Sequence, residues 1–155
     1  MGIRSDAKAI IFHEGKILLN RCQDKNGGIY YSLPGGGQNT YETIEEAVIR
    51  ECIEETGYQV VPVRFAALME EIIVDEEQRA AWPEYCHRIY HIFFCKLASQ
   101  EQADPTEMDL SQTASEWIEL SCLPEMKILP EGIGVHIGDI VKDGAILYLG
   151  SAKHG

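Results

Sequence analysis

The chain has 155 residues, of which 45% are hydrophobic and 25% are charged, so we expect a single globular domain over residues 1–155. Its 13 basic and 25 acidic residues give a formal charge of −12, which argues against binding to nucleic-acid polymers, because such binding relies on Lys and Arg. No apolar run is long enough to span a membrane, and the N-terminus lacks the apolar segment of a secretory signal, so no membrane partner is expected.

The first part of the chain is predicted to form strands that lead into a glycine-rich turn. Ala7–Phe12 and Lys16–Arg21 are rich in apolar residues and are separated by a turn-forming tripeptide, so we expect a β-hairpin. Tyr30–Leu33 is predicted to be a short strand that ends at Pro34. Three glycines follow, and glycine lets the backbone turn sharply and approach a ligand closely.

The segment after this turn is the clearest predicted helix. Thr43 is a suitable N-cap, and Glu46 three residues later completes a capping box. Helix-forming residues continue to Thr56, and Gly57 stands where a C-cap glycine belongs. Apolar residues at helical spacing predict a stripe that is buried against a sheet. They are Ile44, Val48, Ile49, Cys52 and Ile53.

Three acidic residues of this helix are candidate metal ligands. Glu51, Glu54 and Glu55 are spaced i, i+3 and i+4, so we expect them on one face, where their like charges repel. Grouped carboxylates suit Mg²⁺ or Mn²⁺, and such a cation in turn holds substrate phosphates. The alternative is a solvated acidic helix face, which would be the commoner explanation for Glu54 and Glu55 alone.

The rest of the chain is predicted to alternate strands with loops and short helices. In chain order the segments are a strand at Gln59–Met69, a loop at Glu70–Glu84, a strand at Arg88–Cys95, a loop at Gln100–Thr113, a strand at Ser115–Leu120, a helical turn at Leu123–Leu129, a helix at Pro130–Val141, and a segment at Ile146–Leu149 that is either an edge strand or folds back on the domain. This alternation favours an α/β fold, an α/β/α sandwich.

The cysteines and histidines are weaker candidates for functional residues. The five cysteines are odd in number and lack CxxC spacing, so we expect reduced thiols in a cytoplasmic protein. His87 and His91 have the spacing of a metal-binding pair, but on a strand that spacing separates the rings by roughly 13 Å. We therefore expect them to pack across strands or to face the substrate rather than to bind zinc.

The window from Gly36 to Tyr58 resembles the Nudix box of the Nudix hydrolases, GX5EX7REUXEEXGU, where U is a bulky apolar residue. Its invariant positions are filled by Gly36, Glu42, Arg50, Glu51, Glu54, Glu55 and Gly57. Cys52 and Tyr58 occupy the U positions, and Tyr41 stands where many members carry a glycine. The stretches at 31–36 and 116–120 also resemble the segments that the family places before the box and before its C-terminal helix.

This resemblance implies a Nudix-type α/β/α sandwich with a mixed β-sheet between helices. It also implies metal-dependent hydrolysis of a nucleoside diphosphate linked to a group X, with water attacking phosphorus. Glu51, Glu54 and Glu55 would bind Mg²⁺ or Mn²⁺ together with a backbone carbonyl of Gly35 or Gly36. Arg50 and Glu42 would orient the helical acids. One of the acids, or a carboxylate outside the box, would act as the base. The first candidates for that outside carboxylate are Glu107 and Asp109, followed by Glu70, Glu71 and Glu84.

Substrate choice is less readable from the sequence. Arg21 is a candidate contact for a phosphate or base, and Tyr31 and Trp82 are candidates to stack on a base. Features that mark the ADP-ribose, dinucleoside polyphosphate and coenzyme A subfamilies are absent, which leaves a small MutT-like protein that acts on nucleoside triphosphates, damaged or not. The alternative is a nucleotide-sensing Nudix domain that binds without turnover. The expected partner is a small-molecule nucleotide, and a homodimer is left open.

Overall fold

The computed structural model describes residues 2–108 and 111–154, which form a nine-stranded mixed sheet with helices on both faces. The strands are β1 (Arg4–His13), β2 (Lys16–Gln23), β3 (Ile29–Ser32), β4 (Gly35–Gly37), β5 (Tyr58–Ile73), β6 (His87–Gln102), β7 (Gln112–Glu119), β8 (Ile128–Leu129) and β9 (Leu147–His154). The helices are α1 (Ile44–Thr56), α2 (Glu76–Ala81) and α3 (Ile137–Lys142), with 3-10 turns at Pro83–Tyr85, Leu120–Glu125 and Ile133–Val135. None of the described helices combines the length and apolar character needed to cross a membrane.

The strand order is β8-β3-β2-β1-β6-β5-β9, with β4 paired to β1 and β7 paired to β2. The predicted hairpin is confirmed, because β1 and β2 are antiparallel and Phe12 lies opposite Ile17. The pairs β1–β6, β3–β8 and β5–β9 are parallel, whereas the other pairs are antiparallel. The sheet is therefore mixed, as predicted.

Alternation along β1 shows how the sheet separates two apolar layers. Ala7, Ala9 and Ile11 point to one face, where they pack with Val48 and Cys52 of α1. On the opposite face, a second cluster includes residues of β1, α3 and two of the 3-10 turns: Ile10, Leu123, Ile133, Ile137 and Ile140. Helical layers therefore cover both faces, which confirms the α/β/α sandwich.

The prediction of a loop at residues 70–84 is wrong over much of that range. Strand β5 continues to Ile73, and α2 follows with Asp75 as its N-cap. The acidic residues that suggested a loop are paired across the strands, with Glu70 against His87 at 2.7 Å and Glu71 against Arg88 at 2.7 Å. These charges are compensated within the sheet, so they do not interrupt the strand.

Three other segments differ from the prediction mainly in their limits. Strand β6 runs to Gln102 and β7 begins at Gln112, so the loop predicted at residues 100–113 is shorter. The helix predicted at residues 130–141 is divided into a 3-10 turn and α3, and Gly132 at φ 90° precedes the turn in the left-handed region. Of the two alternatives for residues 146–149, the edge strand is confirmed, because β9 pairs with β5 in parallel.

Candidate active site

Helix α1 has the two ends that the sequence predicts. The Thr43 hydroxyl accepts a hydrogen bond from the Glu46 amide at 3.1 Å, and the Glu46 carboxylate accepts one from the Thr43 amide at 3.1 Å. At the other end Gly57 has φ 77°, and its amide donates to the Ile53 carbonyl at 2.9 Å. Both caps hold the acidic residues of the helix in fixed positions relative to the glycine turn.

Arg50 is the centre of the polar contacts at this site. Its Nε and Nη2 donate to the two carboxylate oxygens of Glu42 at 2.7 and 3.0 Å. Its Nη1 donates to Glu51 at 2.9 Å and to Glu54 at 3.1 Å, and Nη2 also donates to the Gly37 carbonyl at 2.9 Å. The hydrogen bond to Arg50 lowers the pKa of Glu42, and the same bond raises the pKa of Arg50.

Glu51 lies half-buried between Arg50 and the glycine turn. Burial raises the pKa of Glu51, and the hydrogen bond from Arg50 acts in the opposite direction. A Cβ on Gly36 would lie 2.8 Å from the Glu51 carboxyl group, so the missing side chain makes room for this carboxylate. The glycine turn and the helix are therefore packed directly against each other at Glu51.

An open cavity of about 610 Å³ lies beside these acids. Arg50, Glu51, Glu54 and Glu107 line it together with Arg4, so four of the predicted site residues are brought to one place. The loop that carries Glu107 is tied to α1, because the Thr106 and Glu107 amides donate to the Glu54 carbonyl at 3.0 and 2.9 Å. Asp109, the other first candidate for a carboxylate outside the helix, lies outside the described residues.

Glu55 has a different environment from Glu51 and Glu54. It is 1% exposed, and its Oε1 accepts hydrogen bonds from the Asn20 amide group at 2.8 Å and the Gly35 amide at 3.1 Å. It is not among the described residues that line the cavity. The expected face of three acids is therefore divided, with two carboxylates at the cavity and the third in the interior next to Gly35.

The donors around the cavity fit a divalent cation. Glu51 and Glu54 offer carboxylate oxygens, the hard donors that Mg²⁺ takes, and Mg²⁺ completes its coordination shell with water and substrate oxygens. Among the described residues, no three His, Cys, Asp or Glu side chains are grouped closely enough to hold an ion by themselves. The Gly35 carbonyl accepts a hydrogen bond from Lys8 Nζ at 2.9 Å. This carbonyl, one of the expected backbone ligands of the metal, therefore already has a cationic partner.

Comparison with known proteins gives the chain its family. A family model described as the NUDIX domain matches residues 3–133. The chain belongs to the Nudix family. "Putative nudix hydrolase 1" of Caenorhabditis elegans is 30% identical over 116 residues, a match that covers 75% of this chain. The match spans only 27% of the length of that curated relative.

Solved structures of Nudix proteins share the fold. A NUDIX hydrolase from Nitrosomonas europaea has a TM-score of 0.71 at 17% identity, covering 96% of this chain and 94% of its own. An ADP-ribose pyrophosphatase from Streptococcus suis has a TM-score of 0.64 at 20% identity, covering 99% and 100%. A MutT NUDIX hydrolase from Burkholderia pseudomallei has a TM-score of 0.64 at 24% identity, covering 88% and 98%.

Arg21 and Tyr31, the predicted substrate contacts, lie opposite each other on β2 and β3 and do not line the cavity. Arg21 Nε is 3.5 Å from a carboxylate oxygen of Glu116, and the Tyr31 hydroxyl donates to the other oxygen at 3.4 Å. Arg21 also donates to the Thr113 hydroxyl at 3.3 Å. Neither residue is among the described residues lining the cavity, so they form a separate polar group on β2, β3 and β7.

The reserve candidates for an outside carboxylate are also separate from the cavity. Glu70 and Glu71 are bonded to His87 and Arg88 on β6, and Glu84 is exposed in the segment after α2. Trp82 is 59% exposed in that same segment. Of the two histidines, His87 contacts Glu70, as expected for packing across strands, and His91 Nδ1 lies 3.1 Å from the Asp6 carbonyl.

The cavity lined by Glu51, Glu54 and Glu107 is called the Nudix cavity below, and several of its residues were not predicted from the sequence. Gln38 and Asn39 line it directly after the glycine turn, so their position next to the box was an available signal. Arg4 and Met108 also line it. No spacing in the sequence connects Arg4 to the box, because β1 brings it there through strand pairing.

Proposed function

We propose that this protein is a divalent-metal-dependent pyrophosphohydrolase that cleaves a nucleoside diphosphate linked to a group X by water attack on phosphorus. The observation that carries this proposal is the convergence of Glu51, Glu54 and Glu107 on one open cavity, with Arg50 holding the first two. Membership of the Nudix family supports the same reaction class.

In this proposal the helical acids hold the metal. Glu51 and Glu54 would bind Mg²⁺ or Mn²⁺, and Gly36, which packs against Glu51, is a better source of a backbone carbonyl than Gly35. The cation would neutralise phosphate oxygens and stabilise the charge that develops as the diphosphate is cleaved. Glu55 would support the turn through its bond to the Gly35 amide rather than face the substrate.

The remaining roles follow from the contacts of each side chain. Arg50 and Glu42 would orient Glu51 and Glu54, since Arg50 donates to all three carboxylates. Glu107 would act as the general base, because its loop is fixed to the backbone of Glu54 while its side chain is exposed at the cavity.

The substrate in this proposal is a small nucleotide rather than a polymer. Structural neighbours are named as an ADP-ribose pyrophosphatase, a UDP-X diphosphatase and MutT proteins, so they support nucleoside diphosphate derivatives, including nucleoside triphosphates and their damaged forms, as the class to test. The chain's five cysteines are odd in number and lack CxxC spacing, which favours a reducing compartment such as the cytoplasm.

Substitution of the helical acids tests the proposed mechanism. A nucleotide panel assayed with Mg²⁺ and with Mn²⁺ should reveal metal-dependent release of phosphate or pyrophosphate products. In Glu51→Gln and Glu54→Gln, kcat should fall by at least about 100-fold, because metal-assisted charge stabilisation contributes several kcal/mol. Glu45→Gln is the matched control, since Glu45 is an exposed acid of the same helix, and its kcat should stay near that of the wild type.

Two results would contradict the proposal. Full activity in both Glu51→Gln and Glu54→Gln would refute the metal-binding roles. Tight nucleotide binding without turnover across the whole panel would refute hydrolysis and would identify a nucleotide-sensing Nudix domain.

A further inference from the structure

We propose that Arg4 binds a phosphate of the substrate's diphosphate group, an inference that rests on the proposed function of the Nudix cavity. Arg4 begins β1 and lines the cavity with Glu51, Glu54 and Glu107. It lies outside the Nudix box, and its role follows from its contacts in the structure.

Of the described residues that line the cavity, two are cationic, and only one has free donors. Arg50 makes five hydrogen bonds to Glu42, Glu51, Glu54 and the Gly37 carbonyl, and a guanidinium has five N–H groups. Arg4 donates from Nε to Asp6 at 2.7 Å, and within the described residues its two Nη groups make no hydrogen bond. The four N–H groups on those nitrogens are therefore available to a ligand.

The surroundings of Arg4 hold the guanidinium in place. Asp6, which accepts the Nε hydrogen bond, is 1% exposed and is therefore a fixed anchor. The Tyr85 ring packs against the guanidinium, with its centroid 4.8 Å from Cζ. A Cβ on Gly37 would lie 2.5 Å from an Arg4 Nη, so this glycine leaves space for the arginine beside the turn. An anchored guanidinium loses less side-chain entropy when it binds an anion.

Electrostatics explains why this position needs a cation. The cavity presents three carboxylates on a chain of formal charge −12, and an anionic diphosphate would be repelled by these groups. A metal on Glu51 and Glu54 would offset only part of that charge. The planar fork of a guanidinium matches two phosphate oxygens, and Arg4 presents its Nη groups beside Gly37, whose carbonyl accepts a hydrogen bond from Arg50.

The test compares Arg4→Gln and Arg4→Lys with Lys25→Gln, a charge-matched control in an exposed turn. Steady-state kinetics on the best nucleotide of the panel should show KM raised roughly 10- to 100-fold in Arg4→Gln, the loss expected for a hydrogen-bonded charge. The dissociation constant of inorganic pyrophosphate with Mg²⁺, measured by calorimetry, should rise by a similar factor. Lys25→Gln should match the wild type in both measurements.

Arg4→Lys keeps a cation beside Asp6 and so protects the fold if Arg4→Gln is unstable. A lysine has no fork, so its KM and pyrophosphate dissociation constant should still rise severalfold. Wild-type values of both constants in a folded Arg4→Gln or Arg4→Lys protein would overturn the proposal while leaving hydrolysis intact. If the wild type hydrolyses nothing but binds pyrophosphate, and Arg4→Gln loses that binding, then hydrolysis is refuted and the Arg4 site stands. If the wild type neither hydrolyses nucleotides nor binds pyrophosphate, both proposals are refuted.

Discussion

Arg50 is the residue on which the geometry of the Nudix cavity depends. Its guanidinium joins Glu42, the Gly37 carbonyl and the two cavity-lining glutamates of α1 through hydrogen bonds of 2.7 to 3.1 Å. Without Arg50, the carboxylates of Glu51 and Glu54 would repel each other, because residues three positions apart on a helix lie on the same face. Arg50 therefore holds both carboxylates in fixed positions relative to β4.

A substitution at Glu55 tests whether this residue binds the metal directly or supports the glycine turn. Because Glu55 is buried and its Oε1 accepts from Asn20 and the Gly35 amide, we expect Glu55→Gln to lower the free energy of unfolding by about 1 kcal/mol, as an amide replaces the carboxyl group that accepts both hydrogen bonds. Urea unfolding measures this change. Titration with Mn²⁺ should show a smaller loss of affinity in Glu55→Gln than in Glu51→Gln.

Glu45→Gln serves as the control for both measurements, since it removes an exposed charge from the same helix. If Glu55→Gln loses as much Mn²⁺ affinity as Glu51→Gln at unchanged stability, then Glu55 is a direct ligand, as the sequence motif suggests.

At the residue scale, the sequence predicts contacts within one element better than contacts between elements. The offsets from Gly36 to Gly57 place Glu51 and Glu54 on one helix, and the structure brings both to the cavity. The burial of Glu55 depends on Asn20, which lies 35 residues earlier in the chain. No helical or strand spacing encodes such a contact, and the position of Arg4 beside Gly37 was unpredictable for the same reason.

Among the elements, α1 depends most on its C-terminal cap. Gly57 has φ 77°, which favours glycine, and a Cβ there would lie 1.8 Å from the Ala103 carbonyl oxygen. We expect Gly57→Ala to lower the free energy of unfolding by about 3 kcal/mol, since backbone strain and a backbone clash add together. Chemical denaturation measures this loss. The loop that carries Glu107 should also move, because the Ala103 amide donates a hydrogen bond to the Gly57 carbonyl.

Gly15→Ala is a matched control for the Gly57 substitution. Gly15 has φ 79°, close to the φ of Gly57, but a Cβ there would meet no atom within 4 Å. This variant should therefore show the backbone strain alone, about 1 kcal/mol. Equal losses in the two variants would mean that the contact with Ala103 contributes nothing.

The elements also show where pattern-based prediction succeeds. Helix α1 carries local signals at both ends, a capping box and a C-cap glycine, and its limits agree with the prediction. The end of β5 carries no comparable signal, because Glu70 and Glu71 resemble loop residues until their partners on β6 are known. Charged residues that pair across strands interrupt the apolar alternation by which strands are predicted, so the end of β5 was missed.

At the scale of the whole molecule, charged residues connect the cavity to the last strand. Arg4 contacts Asp6 at 2.7 Å, Arg88 lies 3.7 Å from Asp6 and 2.7 Å from Glu71, and Glu71 in turn contacts His154 at 2.8 Å. Four of these residues come from three different strands of the sheet, and the fifth, His154, ends β9. His154 of β9 therefore belongs to the same group of charged residues that anchors Arg4.

This ionic group makes stability depend on pH in the acidic range. Burial acts to raise the pKa of Glu71, but hydrogen bonds from Arg88, His154 and Tyr90 outweigh it, so its pKa is lowered from 4.5 in the folded state. A carboxyl group with a lowered folded-state pKa contributes stability above its unfolded pKa, and this contribution is lost as the pH falls through the folded value.

Glu71→Gln should therefore be less stable than the wild type by about 3 kcal/mol at pH 7, since it removes one partner of a buried ion pair. The difference should shrink as the pH falls below 4.5 and through the folded-state pKa of Glu71, because protonated Glu71 resembles glutamine. Urea unfolding of both proteins from pH 7 to pH 3 measures it, with Glu131→Gln as an exposed control that should show no difference. A difference that stays constant over that range would mean that Glu71 acts through packing rather than through its charge.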